Sequence, residues 1–209
     1  MSNKRIGVAG TVVIILIVAG IALLGGGDDD AQATETDGAF IAGMVPHHES
    51  AIEMAEIARE RAEHPEISQL ADDIIATQSE EIATLTSIHE RLFSAPVGDV
   101  DHGTLGLAEH EMGMEGDTTA LETAKPFDRA FIDMMIPHHQ GAIRMARIEL
   151  DAGEDEETMA LAEAIIAAQS AEIEEMNEWR SDWYGEPSPA GGVPAADDTS
   201  TPAHEEMGH

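Results

Sequence analysis

Two adjacent histidines occur twice in this chain, each time just after a methionine and a proline and just before a second methionine. Phe40-Ile41-Ala42-Gly43-Met44-Val45-Pro46-His47-His48-Glu49-Ser50-Ala51-Ile52-Glu53-Met54-Ala55 returns as Phe131-Ile132-Asp133-Met134-Met135-Ile136-Pro137-His138-His139-Gln140-Gly141-Ala142-Ile143-Arg144-Met145-Ala146, at a constant offset of 91 residues. The offset persists without a gap: Leu70, Ala71, Ile74, Ile75, Gln78, Glu81 and Ile82 recur as Leu161, Ala162, Ile165, Ile166, Gln169, Glu172 and Ile173. Thioether and imidazole are soft or borderline metal ligands. Thioethers carry no charge and favour Cu(I), whereas imidazole serves Cu(I) and Cu(II) alike. The repeated set Met44, His47, His48, Met54 and Met135, His138, His139, Met145 therefore points to a metal, copper above others, held through a change of oxidation state.

Wound at about 100° per residue, Met44, His47, Ala51 and Met54 fall within about 80° of one another, and Met135, His138, Ala142 and Met145 repeat that stripe. The competing reading is structural. A methionine at helical spacing ordinarily fills a core, and a histidine can be a satisfied core residue or a cap beside the proline. Gln78, Glu81, Gln169 and Glu172 are the repeated polar residues on the segments that follow. An antiparallel hairpin brings Glu81 near His47 or His48 and Glu172 near His138 or His139, as ligands or as groups that orient an imidazole. Outside the repeats, His102, His110, Met112 and Met114 lie in a Gly-rich stretch, and His204, Met207 and His209 lie at the C-terminus. In loops these side chains have no core to fill, so they are candidates for loose metal capture.

The elements that must carry these residues are helical. Phe40, Ile41, Met44, Ala51, Met54, Ala55 and Ala58 follow a helical period. Pro46 interrupts it, so either a helix begins there or a continuous one bends there. Pro65 marks the next N-terminus, and Leu70, Ile74, Ile75, Ile82, Leu85 and Leu92 form the second stripe. The organisation expected is an N-terminal segment and acidic tether (1–36), a first hairpin (37–92), a Gly-rich connector (93–126) with a short helix near 104–112, a second hairpin (127–184), and a Pro/Gly-rich tail without structure (185–209). Neither hairpin buries its apolar faces alone. Residues 37–184 are thus expected to form one all-α domain, a four-helix bundle of two repeated hairpins. Trp179, Trp183 and Tyr184 are placed to close its end.

The net charge is -32, from 42 acidic against 10 basic side chains, and Lys4 and Lys125 are the lysines. Nucleic acid is excluded as a partner, because phosphate contact needs a basic patch. Such a surface suits a salt-rich environment that screens its self-repulsion. There is no cysteine, so a metal would be held by His, Met, Asp or Glu. Lys4 and Arg5 precede an uncharged apolar run, residues 6–24, long enough to span a bilayer core. A membrane anchor holding the rest outside the cytoplasmic membrane is expected. The alternative is a signal cleaved near Ala31-Gln32-Ala33, which would secrete the rest.

The doubled Met-x-Pro-His-His, the Ala-Ile-x-Met-Ala run after it and the later Gln-x-x-Glu-Ile resemble the domain-of-unknown-function 305 family. The likeness covers residues 37–184. Trp179 fits the aromatic that ends the family pattern, where the first unit departs with Ile88. The resemblance implies a ferritin-like bundle, usually exported, with some members similar to periplasmic copper-binding proteins. The function expected is copper buffering, chaperoning or resistance, in a chain that is not an enzyme and that passes its ion to a metal-transfer protein. A ferritin-like metal-dependent oxidase is the first alternative. Against its di-iron form, no Glu-x-x-His occurs on the four helices expected to form the core. A metal-free adaptor module is the second alternative. Whether the two half-sites make one shared centre or two stays open.

Overall fold

The structure is a computed structural model and describes residues 35–98 and 105–196. Four long helices carry it: α1 (Glu35–Arg61), α2 (Pro65–Phe93), α3 (Phe127–Ala152) and α4 (Glu156–Tyr184), with a 3-10 segment, Thr118–Glu122, ahead of α3. They form the all-α, ferritin-like four-helix bundle of two hairpins, α1–α2 and α3–α4, that the repeat predicted. Pro46 and Pro137 both lie inside continuous helices, which decides between the two readings of the proline. Pro65 occupies the first position of α2, where its missing N–H costs nothing.

The hairpins dock chiefly through α1 against α3, the two helices that bear the histidine pairs. The core divides into two clusters that the repeat exchanges. One joins Ala51, Met54, Ala55, Leu70 and Ile74 of the first hairpin to Phe131, Ile132, Met135 and Ile136 of the second. The other joins Phe40, Ile41 and Met44 to Ala142, Met145, Ala146, Leu161 and Ile165. The N-terminal half of α1 thus shares a cluster with the C-terminal half of α3, and the reverse, so the two helices run antiparallel. Each histidine pair sits on its helix at the junction between the clusters.

Both turn regions are tied across the interface by buried carboxylates. Asp128, at the start of α3, accepts from the backbone N–H of Glu63 at 2.9 Å and of His64 at 2.8 Å. Its Oδ2 also lies 2.6 Å from His64 Nδ1. The His64 ring stacks on Trp183 at 3.8 Å, and Trp183 stacks on Trp179. The aromatics close that end of the bundle, as expected, by capping the α1–α2 turn. At the opposite end Asp37 of α1 accepts from Asp155 N at 3.0 Å. Asp155 in turn caps α4 through Thr158 N at 2.9 Å and meets Arg91 of α2 at 3.0 Å.

Three expectations are corrected. Residues 106–116 form turns and irregular backbone instead of the short helix placed near 104–112, and the 3-10 segment at Thr118–Glu122 follows them. The connector's glycines explain this: Gly106 and Gly113 take positive φ of 69° and 71°, outside any right-handed helix. Residues 185–196, expected to lack structure, fold back on the second hairpin. There Gln140 donates to the carbonyls of Ala190 and Gly192 at 2.9 and 2.7 Å, and Arg147 donates to the carbonyl of Pro194 at 2.8 Å. Composition could not reveal that these polar side chains supply partners for the tail backbone. The transmembrane helix, and with it the membrane-anchored placement, is also corrected: among the described residues no helix is long and apolar enough to cross a membrane. The run 6–24 on which that expectation rested lies outside the described residues.

Candidate metal centre

His47 and His138 meet face to face where α1 crosses α3, with ring centroids 3.8 Å apart and planes inclined by 38°. His48 and His139 flank them, each with its ring centroid 6.4 Å from that of its neighbour in sequence. All four imidazoles are at most 2% exposed. Adjacent residues on a helix point about 100° apart. One histidine of each pair therefore faces the other hairpin while the second turns to its own hairpin partner. His139 Nε2 is 2.7 Å from Glu172 Oε2 on α4. His48 Nε2 is 2.7 Å from Glu81 Oε2 on α2, a close polar contact off the ideal hydrogen-bond direction. The hairpin geometry thus pairs each glutamate with the second histidine of its repeat.

The donor set has a consistent polarity. His47 Nε2 donates to the Met112 carbonyl at 2.9 Å, and His48 and His139 direct Nε2 at carboxylates. A proton on each Nε2 leaves the lone pair on Nδ1. Nδ1 of His47, His48, His138 and His139 is buried without a hydrogen-bond partner, and His138 Nε2 is too. Burial first, then the neighbouring imidazole of His48, pushes the His47 pKa down to about 3. Burial first, then His47, lowers that of His138 well below the usual range. At neutral pH both rings are uncharged and keep a free lone pair. Buried polar atoms without partners carry a desolvation cost, so a group of them at one place marks a site for something else to bind.

The thioethers fall on both sides of the imidazoles. Met44 and Met145 belong to one core cluster, and Met54 and Met135 to the other. The donors of one repeat are thereby split: each side holds one methionine from each hairpin. Two further methionines join them, Met176, absent from the predicted set, and Met112, expected there only as a loose donor of the connector. Met176 of α4, at the repeat position of Leu85, packs with Met54 and Met135. Met112 of the connector, 2% exposed, packs with Met44 and Met145. Met112 is therefore not a loose loop donor. The visible signal was Gly113, the glycine after it, together with the exchange of Ser50 for Gly141 between repeats. A Cβ at Gly141 would lie 1.9 Å from the Met112 carbonyl oxygen, so the connector could not pass over α3 if the second repeat kept a side chain there.

The remaining predicted residues divide as follows. Gln78 and Gln169 are buried on α2 and α4, and the Oε1 of each lacks a partner. His110 is exposed and Met114 half-buried on the connector. His102, His204, Met207 and His209 lie outside the described residues. Among the described residues no three or more His, Asp or Glu side chains are grouped as a complete metal site. A second feature that sequence reasoning missed is Arg180 of α4, 1% exposed. Its guanidinium holds Asp133 of α3 at 3.1 and 3.2 Å and donates to the carbonyl of Glu186 at 2.9 Å.

The fold and site together define a tandem helical-hairpin protein with buried imidazoles flanked by thioethers. The chain belongs to the family described as Domain of unknown function (DUF305), whose pattern matches residues 37–180 and, overlapping them, 128–209. Among solved structures, CopM in the Cu(I)-bound form is 42% identical, with a TM-score of 0.63 over 73% of this chain and 100% of that one. CopM in the Cu(II)-bound form is 41% identical, with a TM-score of 0.61 over 71% of this chain and 97% of that one. The DUF305 fragment from Deinococcus radiodurans is 29% identical, with a TM-score of 0.60 over 72% of this chain and 98% of that one. An uncharacterised protein of Acanthamoeba polyphaga mimivirus is 35% identical over 88 residues. That alignment covers 42% of this chain and 57% of the viral protein, so the chain spans little more than half the length of that curated relative.

Proposed function

We propose that this chain binds copper, chiefly as Cu(I), and buffers it or hands it to a metal-transfer protein without transforming a substrate. The observation that carries the reading is the set of buried, unpartnered imidazole nitrogens between two methionine-bearing clusters. His47, His138 and the thioethers beside them would hold the ion, and His48 and His139 would add nitrogens fixed in orientation by Glu81 and Glu172. A hard metal would want oxygen ligands, whereas imidazoles completed by the thioethers of the two clusters suit a soft monovalent ion. The likeness to CopM, solved with Cu(I), Cu(II) and silver, supports copper over other soft metals.

The two hairpins would contribute to one shared centre, because His47 and His138 are in ring contact and each methionine cluster draws on both repeats. The test is titration with Cu(I) against a chromophoric chelator. Uptake of at least one equivalent is expected, and it should be lost when His47, His48, His138 and His139 are replaced by Ala. Uptake no tighter than that of free histidine would sink the proposal.

A further inference from the structure

A cavity of ≈ 390 Å³ lies between the connector and the first half of α3. His110, Gly113 and Glu115 line one side of it, and Asp133, Met134 and Pro137 the other. Its donors are not those of the repeat. Met134 stands where the first hairpin has Gly43, and the connector has no counterpart, so the cavity belongs to one hairpin only.

Through Gly113 the cavity backs onto the backbone of Pro137 and His138. A Cβ at Gly113 would lie 2.3 Å from the Pro137 carbonyl oxygen and 2.6 Å from His138 Cα. Glycine alone therefore lets the connector lie this close to the residue whose two ring nitrogens have no partner. One residue earlier, the Met112 carbonyl holds the other central imidazole, that of His47. The Met134 sulfur reaches the cavity rim, since a Cβ at Gly116 would be 3.5 Å from it. The carboxylate of Asp133 is compensated by Arg180 at 3.1 Å and Arg129 at 3.6 Å, so the wall it forms does not trap a cation by charge.

We propose that this cavity is the port through which a soft monovalent ion reaches His138 and His47, with His110 and Met134 as its transient donors. The assignment rests on the metal-binding reading above. An ion cannot enter the buried imidazole layer fully hydrated. It must exchange water for a few weak ligands on the way, and a transit site has to bind well enough to admit the ion yet weakly enough to release it. One exposed imidazole and one half-buried thioether meet that requirement, where a closed cage of ligands would not. The last step displaces the wall at Met112–Gly113. That wall is held by hydrogen bonds from His47 to the Met112 carbonyl and from Arg144 to the Glu111 carbonyl at 3.1 Å.

The experiment follows the transfer of Cu(I) from its bicinchoninate complex to the full chain by stopped-flow absorbance, comparing the native protein with the double variant His110→Ala/Met134→Leu. Both side chains reach solvent, and an unchanged melting temperature serves as the folding control. Transfer is expected to slow by ~10-fold, on the scale seen when groups just outside a metal's ligands are removed, with the equilibrium stoichiometry unchanged. Equal transfer rates would overturn the port. So would a loss of stoichiometry in the variant, which would make the cavity a storage site. Failure of the native protein to take up Cu(I) would instead refute the metal-binding reading, so the two failures are distinguishable.

Discussion

Replacing Glu149 by Gln should stabilise the protein, and only on the alkaline side of neutrality. Glu149 lies on α3 with no exposed surface, and its carboxyl covers Gly153 beside Asp37. Burial first, then the Asp37 carboxylate, raises its pKa from 4.5 to about 8. A carboxyl whose pKa is raised by folding binds its proton more tightly in the native state. Native protein therefore holds more protons than unfolded chain between about pH 4.5 and about 8, and stability falls as pH rises through that window. The full shift at ~1.36 kcal/mol per unit would cost about 5 kcal/mol above the window. Gly153 and Glu154 next to it reach solvent, so screening and relaxation reduce this to about 2 kcal/mol. Glutamine keeps the shape and an N–H donor toward Asp37 but never ionises. By thermal unfolding at fixed salt, the variant should match the native protein near pH 5. It should melt roughly 4–8 °C higher near pH 9, as expected for about 2 kcal/mol in a domain of this size. Because both proteins share every other carboxylate, the difference isolates this one. A difference in melting temperature that stays constant from pH 5 to 9 would refute the reasoning.

Other outcomes follow from the same geometry. Glu81→Gln and Glu172→Gln should each weaken Cu(I) binding by ~10–100-fold in chelator competition. The Glu81 change should cost more, since its carboxylate is 4% exposed against 19% for Glu172. Gly141→Ala forces Met112 aside and should destabilise by about 1–3 kcal/mol in chemical denaturation. Ser50→Ala, at the equivalent position of the first repeat, should cost about 0.5 kcal/mol or less. Arg180→Ala leaves Asp133 and the Glu186 carbonyl without their main partner and should cost about 1–3 kcal/mol, with faster proteolysis of residues 185–196 as a second readout.

The amino-acid order by itself determined the helices, their pairing into hairpins and the candidate donors. It did so because a bundle writes its buried stripe at a 3.6-residue period, and because the 91-residue offset made every stripe appear twice. Antiparallel hairpins alone brought Glu81 to the first histidine pair and Glu172 to the second, and the packed structure chose His48 and His139 as their partners. What tertiary structure alone decided is how the repeats face each other. Periodicity says which side of a helix is buried but not which partner covers it. The antiparallel crossing of α1 and α3 could not be read from either repeat singly. That crossing puts His47 against His138 and divides Met44 from Met54. The buried place of Met112, and the port beside it, were hidden for a related reason. The connector has no period, and its place is fixed by two close approaches, of Gly113 to Pro137 and His138 and of Gly141 to Met112, between segments that only the packed hairpin brings together.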